Sequence, residues 1–158
     1  MKSAEERLEE LGLTLPCAPT PAGQYSPAVR VGNLVFCSGQ GPIRDGEVVW
    51  SGRVGADRTL IEGREAAELC ALNSLAVVKA LIGSLDAVQR VVQVRGFVSS
   101  APGFHDQPEV VDGASELLKH VFGQRGEHAR AALGSYVLPK DISVEVEVIF
   151  EVAGQSGC

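Results

Sequence analysis

The chain has 158 residues, of which 45% are hydrophobic and 22% are charged, with a formal net charge of −6 at pH 7. This composition is typical of one compact globular domain and excludes a disordered or fibrous chain. The acidic balance argues against non-specific binding to nucleic acids or anionic membranes, because both require a basic patch. The first ten residues, MKSAEERLEE, contain no apolar signal-peptide core, and no apolar run reaches the roughly 20 residues of a membrane helix. A cytoplasmic protein is therefore expected.

The N-terminal part of the sequence predicts a short helix and an extended leader. Ser3 and Glu6 form a capping-box pattern and Gly12 is a stop signal, so a helix is expected over residues 4–11. Three prolines then keep the chain extended: Pro16, Pro19 and Pro21. We treat residues 1–158 as a single domain, with an N-terminal helical extension (1–16), a core (17–152) and a tail (153–158).

The middle of the chain predicts a hairpin, a further strand and a long buried helix. Residues 28–38 contain two short apolar runs that meet at Gly32-Asn33, which is typical of a β-hairpin, and another strand is expected over 47–51. Asp57 or Thr59 can cap a helix that runs to about Ile82 and ends at Gly83. Apolar residues surround much of this helix, which indicates that it is largely buried.

The rest of the chain predicts a strand, a helix and two more strands. A strand is expected over 87–98, a helix over 108–122, and strands over 129–138 and 142–152. The first of these strands should place four valines on one side: Val88, Val92, Val94 and Val98. The order β-β-β-α-β-α-β-β predicts an α+β domain in which one sheet carries both long helices on one face.

The last two strands predict what lies on the other face of the sheet. On the last strand the alternate valines from Val144 suit the helix-covered core, and Glu145, Glu147 and Ile149 point away from it. On the preceding strand we assign Ala129, Ala131, Leu133 and Val137 to the core, and the opposite face to Arg130, Ala132, Gly134 and Tyr136. With Phe97 added, that second face mixes apolar and charged side chains. It suits a subunit interface with a wet cleft, so a homo-oligomer is expected.

Arg130 and Glu145 form a candidate site if residues 138–141 are the turn of an antiparallel hairpin. Glu145 would then lie opposite Ala132 or Gly134, roughly 7–13 Å along the strand from Arg130. The small residues between them leave space for a small anion, which a guanidinium binds through a bidentate fork while the carboxylate positions water. A simple cross-strand ion pair is the alternative.

The cysteines and histidines show no metal-ligand spacing. The cysteines form no CxxC pair and are expected to be idle thiols: Cys17, Cys37, Cys70 and Cys158. The histidines form no HxxH pattern: His105, His120 and His128. No metal site is expected.

Four segments together resemble the Rid family of reactive-intermediate deaminases, also called the YjgF family and formerly the L-PSP endoribonucleases. They are GQYSPAVRVGNLVFCSGQGP (23–42), ALNSLAVVKAL (71–81), VVQVRGFVSSAPGF (91–104) and HARAALGSYVLPKDISVEVEVIFEV (128–152). Their joint order and spacing, over residues 17–152, carries the resemblance. It implies a chorismate-mutase-like α+β fold, a homotrimer with ligand clefts between subunits, and hydrolysis of 2-imino acids or their enamine tautomers to 2-keto acids and ammonia without a cofactor.

The resemblance also implies roles for individual residues. Arg130 is expected to bind the substrate carboxylate and Glu145 to hold and activate water. Tyr25, Ser38 and Gly39 match family positions that help to bind the carboxylate. The cleft is expected to contain position 132, where Ala132 replaces the usual cysteine, and Asp112, which replaces an asparagine. Phe97 and Phe104 are interpreted as interface or core residues, with Phe97 a possible cleft residue.

Three functions follow. The first is a 2-imino/enamine acid deaminase. The second is a non-catalytic regulatory trimer that binds a small carboxylate or keto acid, which Ala132 and Asp112 favour. The third is the older ribonuclease or translation-inhibitor assignment, against which the acidic composition and the lack of an aromatic-basic strip argue.

Overall fold

The computed structural model describes residues 1–154, which form three α-helices and seven β-strands. The helices are α1 (Ala4–Glu10), α2 (Leu60–Ile82) and α3 (Gln107–Phe122). The strands are β1 (Ala28–Val31), β2 (Leu34–Cys37), β3 (Ile43–Arg44), β4 (Glu47–Val48), β5 (Val88–Ser99), β6 (Ala129–Ser135) and β7 (Val144–Val152). The element order agrees with the prediction except for β3, which was not expected, and the strand expected at 47–51 is only two residues long. The expected tail, 153–158, lies mostly outside the described residues.

One five-stranded sheet, in the order β1-β2-β7-β5-β6, carries the fold, and β3 and β4 form a separate small ribbon. Both long helices pack on one face of the large sheet. Their contacts enclose a core of fully buried side chains that includes Val94, Val148 and Phe150 from the sheet and Leu75 and Leu118 from the helices. The α+β fold with two long helices on one face is confirmed.

Local sequence signals set the ends of the helices. Ser3 caps α1 and Thr59, rather than Asp57, caps α2, each in a reciprocal capping box with the glutamate three residues on. α2 ends at Gly83 as predicted, and its middle turns are buried almost all round. Its burial follows from the apolar residues on every side of the helix.

Strand β5 departs from the predicted alternation at one position. Val91 is fully buried and Val92 is not, so the side predicted for Val92 was wrong. The pairing of β5 with β7 shifts between Val88 and Arg90 and again between Val91 and Gln93. Such irregularities add a residue to one strand and turn the next side chain to the other face.

Strands β6 and β7 do not form the predicted hairpin. β6 pairs in parallel with β5, β7 pairs with the other edge of β5, and so β5 separates the two strands. The segment β5-α3-β6 is a crossover unit, in which a helix returns the chain so that the next strand runs parallel to the first. The alternation of strand, 16-residue helix and strand in the sequence is the signal for this arrangement.

The predicted faces of β6 were therefore also wrong. Arg130 pairs with Val94 and Ala132 with Gly96, which places both on the helix-covered face. Ala131 and Leu133 lie on the opposite face instead. The strand ARAALGS is rich in small residues, so its apolar pattern could not distinguish one face from the other. The faces predicted for β7 are correct, since its alternate residues from Val144 are all buried.

The face of the large sheet that carries no helix is called the open face below. It combines exposed apolar side chains on three strands with charged groups in the middle of the sheet. Its members include Val29, Val31, Leu34, Phe36, Arg95, Phe97, Leu133, Glu145, Glu147 and Ile149. Among the described residues, no helix has the length and apolar character needed to cross a bilayer.

Candidate functional site

The predicted site residues other than Phe97 and Ala132 divide between two cavities on opposite sides of the sheet. The Glu145 cavity, of about 550 Å³, is lined by Tyr25, Ser38, Gly39, Gln40, Lys140, Glu145 and parts of the proline-rich leader. The Arg130 cavity, of about 500 Å³, is lined by Asp112, Ser115, Lys119, Glu127, His128 and Arg130, together with Glu116. The two groups of residues do not meet within one chain.

The register of the sheet explains this separation. Arg130 pairs with Val94, which pairs with Val148 on β7, and Glu145 lies three residues further along that strand. Two strand spacings and three residues of rise separate the two Cα atoms by about 14 Å, and the side chains point to opposite faces. The prediction that Arg130 and Glu145 lie on the same face was therefore wrong. The prediction that Ala132 and Gly134 leave a space between these two side chains was wrong for the same reason.

Glu145 is a half-buried carboxylate on the open face with no hydrogen-bond or ion-pair partner among residues 1–154. Its neighbour two residues along, Glu147, is paired with Arg95 at 3.3 Å. Burial raises the pKa of Glu145, and the negative charge of Glu147 adds to the increase. A carboxyl group with a raised pKa and a free oxygen is suited to taking up and returning a proton.

Gly39 makes room for this carboxylate. A Cβ atom at position 39 would lie 2.1 Å from Glu145 Oε1, so only glycine allows the carboxylate to lie against the backbone here. Ser38 lines the same cavity, and its hydroxyl donates a hydrogen bond to Ser26 O at 2.7 Å. Tyr25 is half-exposed at the rim and its hydroxyl accepts a hydrogen bond from Ala22 N at 3.3 Å. These three predicted residues share the cavity with Glu145.

Two residues that the sequence reasoning missed hold the wall of the Glu145 cavity in place. The buried Asn73 on α2 donates through Nδ2 to Gly41 O at 3.0 Å and to Ile43 O at 2.9 Å. Gln40 donates through Nε2 to Ser38 O at 3.1 Å, and its backbone pairs with Val146 on β7. An amide in an otherwise apolar buried helix is the signal that could have found Asn73, because buried amides are kept only where they are hydrogen-bonded.

Arg130 lies at the edge of the sheet under α3. Its Nη1 donates to Asp112 Oδ1 at 2.6 Å and to Ser115 Oγ at 3.2 Å, and its Nη2 donates to Pro108 O at 3.3 Å. The side chain is 24% exposed, so the guanidinium remains accessible from the Arg130 cavity. The ion pair with Asp112 places that residue in the same cavity and in direct contact with Arg130.

Ser115 accepts a hydrogen bond from the Arg130 guanidinium, and His128 is hydrogen-bonded to Ser115. The sequence did not single out either as a site residue. His128 Nδ1 lies 2.6 Å from Gly126 O, which can only accept, so Nδ1 carries the proton. Burial lowers the pKa of His128, and the positive charges of Arg130 and Lys119 lower it further, so the ring is neutral at pH 7. Its Nε2 therefore accepts from the Ser115 hydroxyl at 2.9 Å, which leaves the Ser115 oxygen to accept from Arg130.

The other predicted residues lie as follows. Ala132 is next to Arg130 on the helix-covered face and packs against the core. Phe97 is on the open face opposite Glu145, and the guanidinium of Arg95 lies over its ring at 5.5 Å. Phe104 is partly buried and packs against the core. Phe97 thus shares the open face with Glu145 without lining the Glu145 cavity, and Ala132 lies on the Arg130 side of the sheet.

The cysteines lie outside this chemistry. Burial raises the pKa of the Cys37 thiol to about 12, and burial also raises the pKa of Cys70 well above its ordinary value. Cys17 is exposed and Cys158 lies outside the described residues. Within residues 1–154, no three His, Cys, Asp or Glu side chains are placed to hold a metal ion.

Comparisons with known proteins add the following. The profile of the family described as "YjgF/chorismate mutase-like, putative endoribonuclease" matches residues 5–152. Protein TCP17 of Trypanosoma cruzi is 42% identical over 146 residues, which cover 92% of this chain and 91% of that protein. The 2-iminobutanoate/2-iminopropanoate deaminase of Dermatophagoides farinae is 34% identical over 139 residues, covering 87% and 92%. The crystal structure of Atu1372 from Agrobacterium tumefaciens, a protein of unknown function, has a TM-score of 0.89 and 46% identity, covering 94% and 92%.

Proposed function

Because the chain belongs to the YjgF/chorismate mutase-like family, as the resemblance in its sequence predicted, we propose that it hydrolyses small 2-imino acids or their enamine tautomers to 2-keto acids and ammonia. The named activity of the 34% identical mite relative supports this reaction. The observation that carries the proposal is that the chain holds the two groups the reaction needs in two separate cavities. An accessible guanidinium lies at one edge, and a half-buried carboxylate of raised pKa lies on the open face.

The cleft forms between two subunits of a homotrimer. Arg130 and Glu145 of one chain face opposite sides of the sheet, about 14 Å apart, so a single chain cannot place both on one small molecule. The exposed apolar side chains of the open face, including Phe36 and Leu133, favour a neighbouring copy over solvent as their cover. Packing of the open face of one copy near the α3 edge of the next brings Glu145 to the partner's Arg130.

The reaction needs anion capture, an aligned water and a path for one proton. Arg130 holds the carboxylate of the protonated imine, so that the adjacent carbon faces Glu145 of the neighbouring subunit. Glu145 accepts a proton from water as the water oxygen bonds to this carbon and the C=N π electrons move to nitrogen. The same proton then passes from Glu145 to nitrogen, the C–N bond breaks and ammonia leaves. The hydroxyl proton returns through Glu145 to solvent as the carbonyl forms.

The raised pKa of Glu145 matches both halves of this cycle. A carboxyl group that gives up its proton less readily than usual can hold the proton between attack and departure. Gly39 and Ser38 form the wall beside it, and Tyr25 stands at the rim of the same cavity. No cofactor takes part in the scheme.

An imino-acid hydrolysis panel on the wild type and on Arg130→Ala tests the proposal. The wild type should speed the release of 2-keto acid from freshly generated imino acids. Arg130→Ala should lose at least about tenfold in kcat/KM, because a charge-assisted contact to the carboxylate is removed. Arg44→Ala removes a cation outside both cavities and serves as the control.

One outcome would contradict the deaminase activity, and another would contradict the role of Arg130 in it. Absence of acceleration across the whole panel would rule it out, and saturable binding of 2-keto acids without turnover would then identify a carboxylate-binding module. Equal rates for the wild type and Arg130→Ala would remove Arg130 from the mechanism, whatever the activity.

A further inference from the structure

Asn73 is a fully buried amide on α2 that reaches the wall of the Glu145 cavity. Its Nδ2 donates one hydrogen bond to Gly41 O at 3.0 Å and another to Ile43 O at 2.9 Å. Its Oδ1 has no hydrogen-bond partner among residues 1–154. An amide is costly to bury unless it is paired, so a polar residue in the apolar middle of α2 needs a reason. The two hydrogen bonds to the wall supply that reason.

The segment that Asn73 binds is the place where the chain leaves the large sheet. Gln40 still pairs with Val146 of β7 through both of its backbone groups, and after it the chain turns into the β3-β4 ribbon. Each strand of this ribbon has only two residues. A two-stranded ribbon is marginally stable at best on its own, so it depends on contacts with the rest of the fold. Asn73 attaches the first end of the ribbon to α2.

The attached segment forms part of the surroundings of Glu145. Gly41, Ile43 and Ile142 line the same cavity as the carboxylate. A Cβ atom at position 41 would lie 3.0 Å from Ile142 Cδ1, so this wall is closely packed. Burial is the largest cause of the raised pKa of Glu145. A wall that moved outward would admit water to the carboxylate and lower that pKa.

The charges near Glu145 do not depend on Asn73. The titratable groups around the carboxylate are Glu147 with its partner Arg95, Lys140 and Tyr25 in the same cavity, and the thiol of Cys70 on α2. Within residues 1–154, none of these side chains is hydrogen-bonded to Asn73. An uncharged residue in place of Asn73 therefore leaves every one of these groups present. A change in the pKa of Glu145 would then report a change in its burial.

We propose that Asn73 is a positioning residue for Glu145, which acts through Gly41 and Ile43 by holding the wall that keeps water away from the carboxylate. Asn73 is fully buried and does not reach the substrate itself. The inference rests on the proposed function for the part that Glu145 plays in hydrolysis. The effect of Asn73 on the carboxyl group is a property of the fold and can be measured without a substrate.

An NMR titration of protein labelled with ¹³C at the glutamate carboxyl groups measures the pKa of Glu145, whose signal is assigned with Glu145→Gln. Asn73→Ala removes both donors and should shift the raised pKa toward 4.5, because water then reaches the carboxylate. Asn73→Thr should shift it in the same direction. Threonine has about the same volume as asparagine but only one donor, close to its own backbone, so this second variant disturbs the packing less.

Ser74→Ala is the matched control. Ser74 is the next residue on α2, is equally buried, and donates its hydrogen bond to Cys70 O within the helix rather than to the wall. Its variant should keep the wild-type pKa of Glu145.

The kinetics of imine hydrolysis give a second readout. Both Asn73 variants should lose about tenfold in kcat/KM, because the surface beside the reacting carbon is displaced. Glu145 acts as a base, so kcat/KM rises with pH through its pKa, and this rise should move to lower pH in both variants. A loss of stability alone would lower the amount of folded enzyme without moving the rise.

The outcomes separate this inference from the proposed function. A folded Asn73 variant with the wild-type pKa of Glu145 overturns the inference alone, even where the wild type hydrolyses imines. So does an equal shift in Ser74→Ala, which would reveal a general loosening of α2, or a wild-type pKa at or below 4.5. A shift confined to the Asn73 variants, in a protein that hydrolyses no imine, supports the inference and overturns the proposed function.

Discussion

At the scale of single residues, neighbouring carboxylates on β7 have different roles because their surroundings differ. Glu147 lies opposite Arg95 and forms an ion pair with it. Glu145 lies opposite Phe97 and against the backbone of Gly39, where neither neighbour can neutralise its charge. The surroundings of Glu145 therefore disfavour its charged form and raise its pKa. A raised pKa of this kind is common at functional sites, and it is the physical basis of the proposed catalytic role of Glu145.

Glu145→Gln should stabilise the protein at neutral pH and abolish imine hydrolysis. The folded-state pKa of Glu145 is raised above its ordinary value of 4.5, so the folded state binds more protons than the unfolded state just above that pH. Ionisation of Glu145 therefore lowers the stability of the wild type as the pH rises from 4.5 through the folded-state pKa. Glutamine does not ionise, so the Glu145→Gln variant does not lose this stability. Because the group is half-exposed, we expect a gain in Tm of roughly 1–2 °C at pH 7 and none near pH 4.

Thermal unfolding of the wild type, Glu145→Gln and Glu151→Gln across this pH range measures the effect. Glu151 lies on the same strand and the same face but outside the cavity, so its variant is the control. A lower Tm for Glu145→Gln at pH 7, or full retention of activity, would disagree with the assignment.

At the scale of elements, the crossing of α2 and α3 determines where Asp112 and Ser115 stand over β6. The helices are in close contact at Gly113, which is the residue directly after Asp112. A Cβ atom at position 113 would lie 2.1 Å from the backbone oxygen of Arg64 on α2. A backbone atom cannot move aside as a side chain can, so this glycine fixes the distance between the helices and thereby the position of Asp112 beside Arg130.

Gly113→Ala should therefore destabilise the protein by about 2–3 kcal/mol, because it forces two packed helices apart. In an exposed helix the same change would instead stabilise by about 1 kcal/mol, so the sign alone is informative. Urea denaturation gives the free energy of unfolding. Gly154→Ala, where the nearest atom to the new Cβ would be 3.7 Å away, is the control and should be close to neutral. A Gly113→Ala protein as stable as the wild type would show that the helices are not in contact there.

At the scale of the whole molecule, one chain does not bring Arg130 and Glu145 together, so the proposed reaction requires a second copy of the chain. The open face leaves Leu133 50% exposed and Val31 61% exposed, which is costly for large apolar side chains on a flat sheet. The Glu145 cavity is on this face, and the Arg130 cavity is at the opposite side of the edge strand. Threefold association of identical chains would cover the apolar surface and join one cavity of each type at every interface.

Mixed trimers of Arg130→Ala and Glu145→Gln subunits test this arrangement. The two chains are co-expressed with different tags and purified through both, so that every trimer contains both variants. Each mixed trimer should then contain one interface where an intact Arg130 meets an intact Glu145, and about a third of the wild-type activity should return. Both parent homotrimers should be inactive.

The same experiment distinguishes a cleft between two subunits from a cleft within one chain. If Arg130 and Glu145 of the same subunit acted together, every cleft in the mixed trimers would lack one of them and no activity would return. Size-exclusion chromatography with light scattering should give three times the mass of the chain. A monomeric mass would contradict the intersubunit cleft directly.

Much of the fold, and the identity of the candidate site residues, could be predicted from the sequence. Ser3 and Thr59 marked two helix starts, the valines of β7 marked the core face of that strand, and the breadth of the apolar surface on α2 marked a buried helix. These features are local, because caps and periodic burial depend on residues within a few positions of each other. The resemblance also led us to expect Arg130 and Glu145 as site residues, which stays a prediction, and each of them lines a cavity.

Only the tertiary structure decided how these residues are arranged. The run of small side chains in β6 is compatible with either face and either neighbour, and the crossover through α3, rather than any local pattern, made it pair in parallel with β5. That pairing turned Arg130 toward Asp112, Ser115 and His128 and away from Glu145. The sequence thus determines which chemical groups are present and the local structure around each of them. The distance between groups on two strands depends on which strand lies between them, and only the folded chain determines that order.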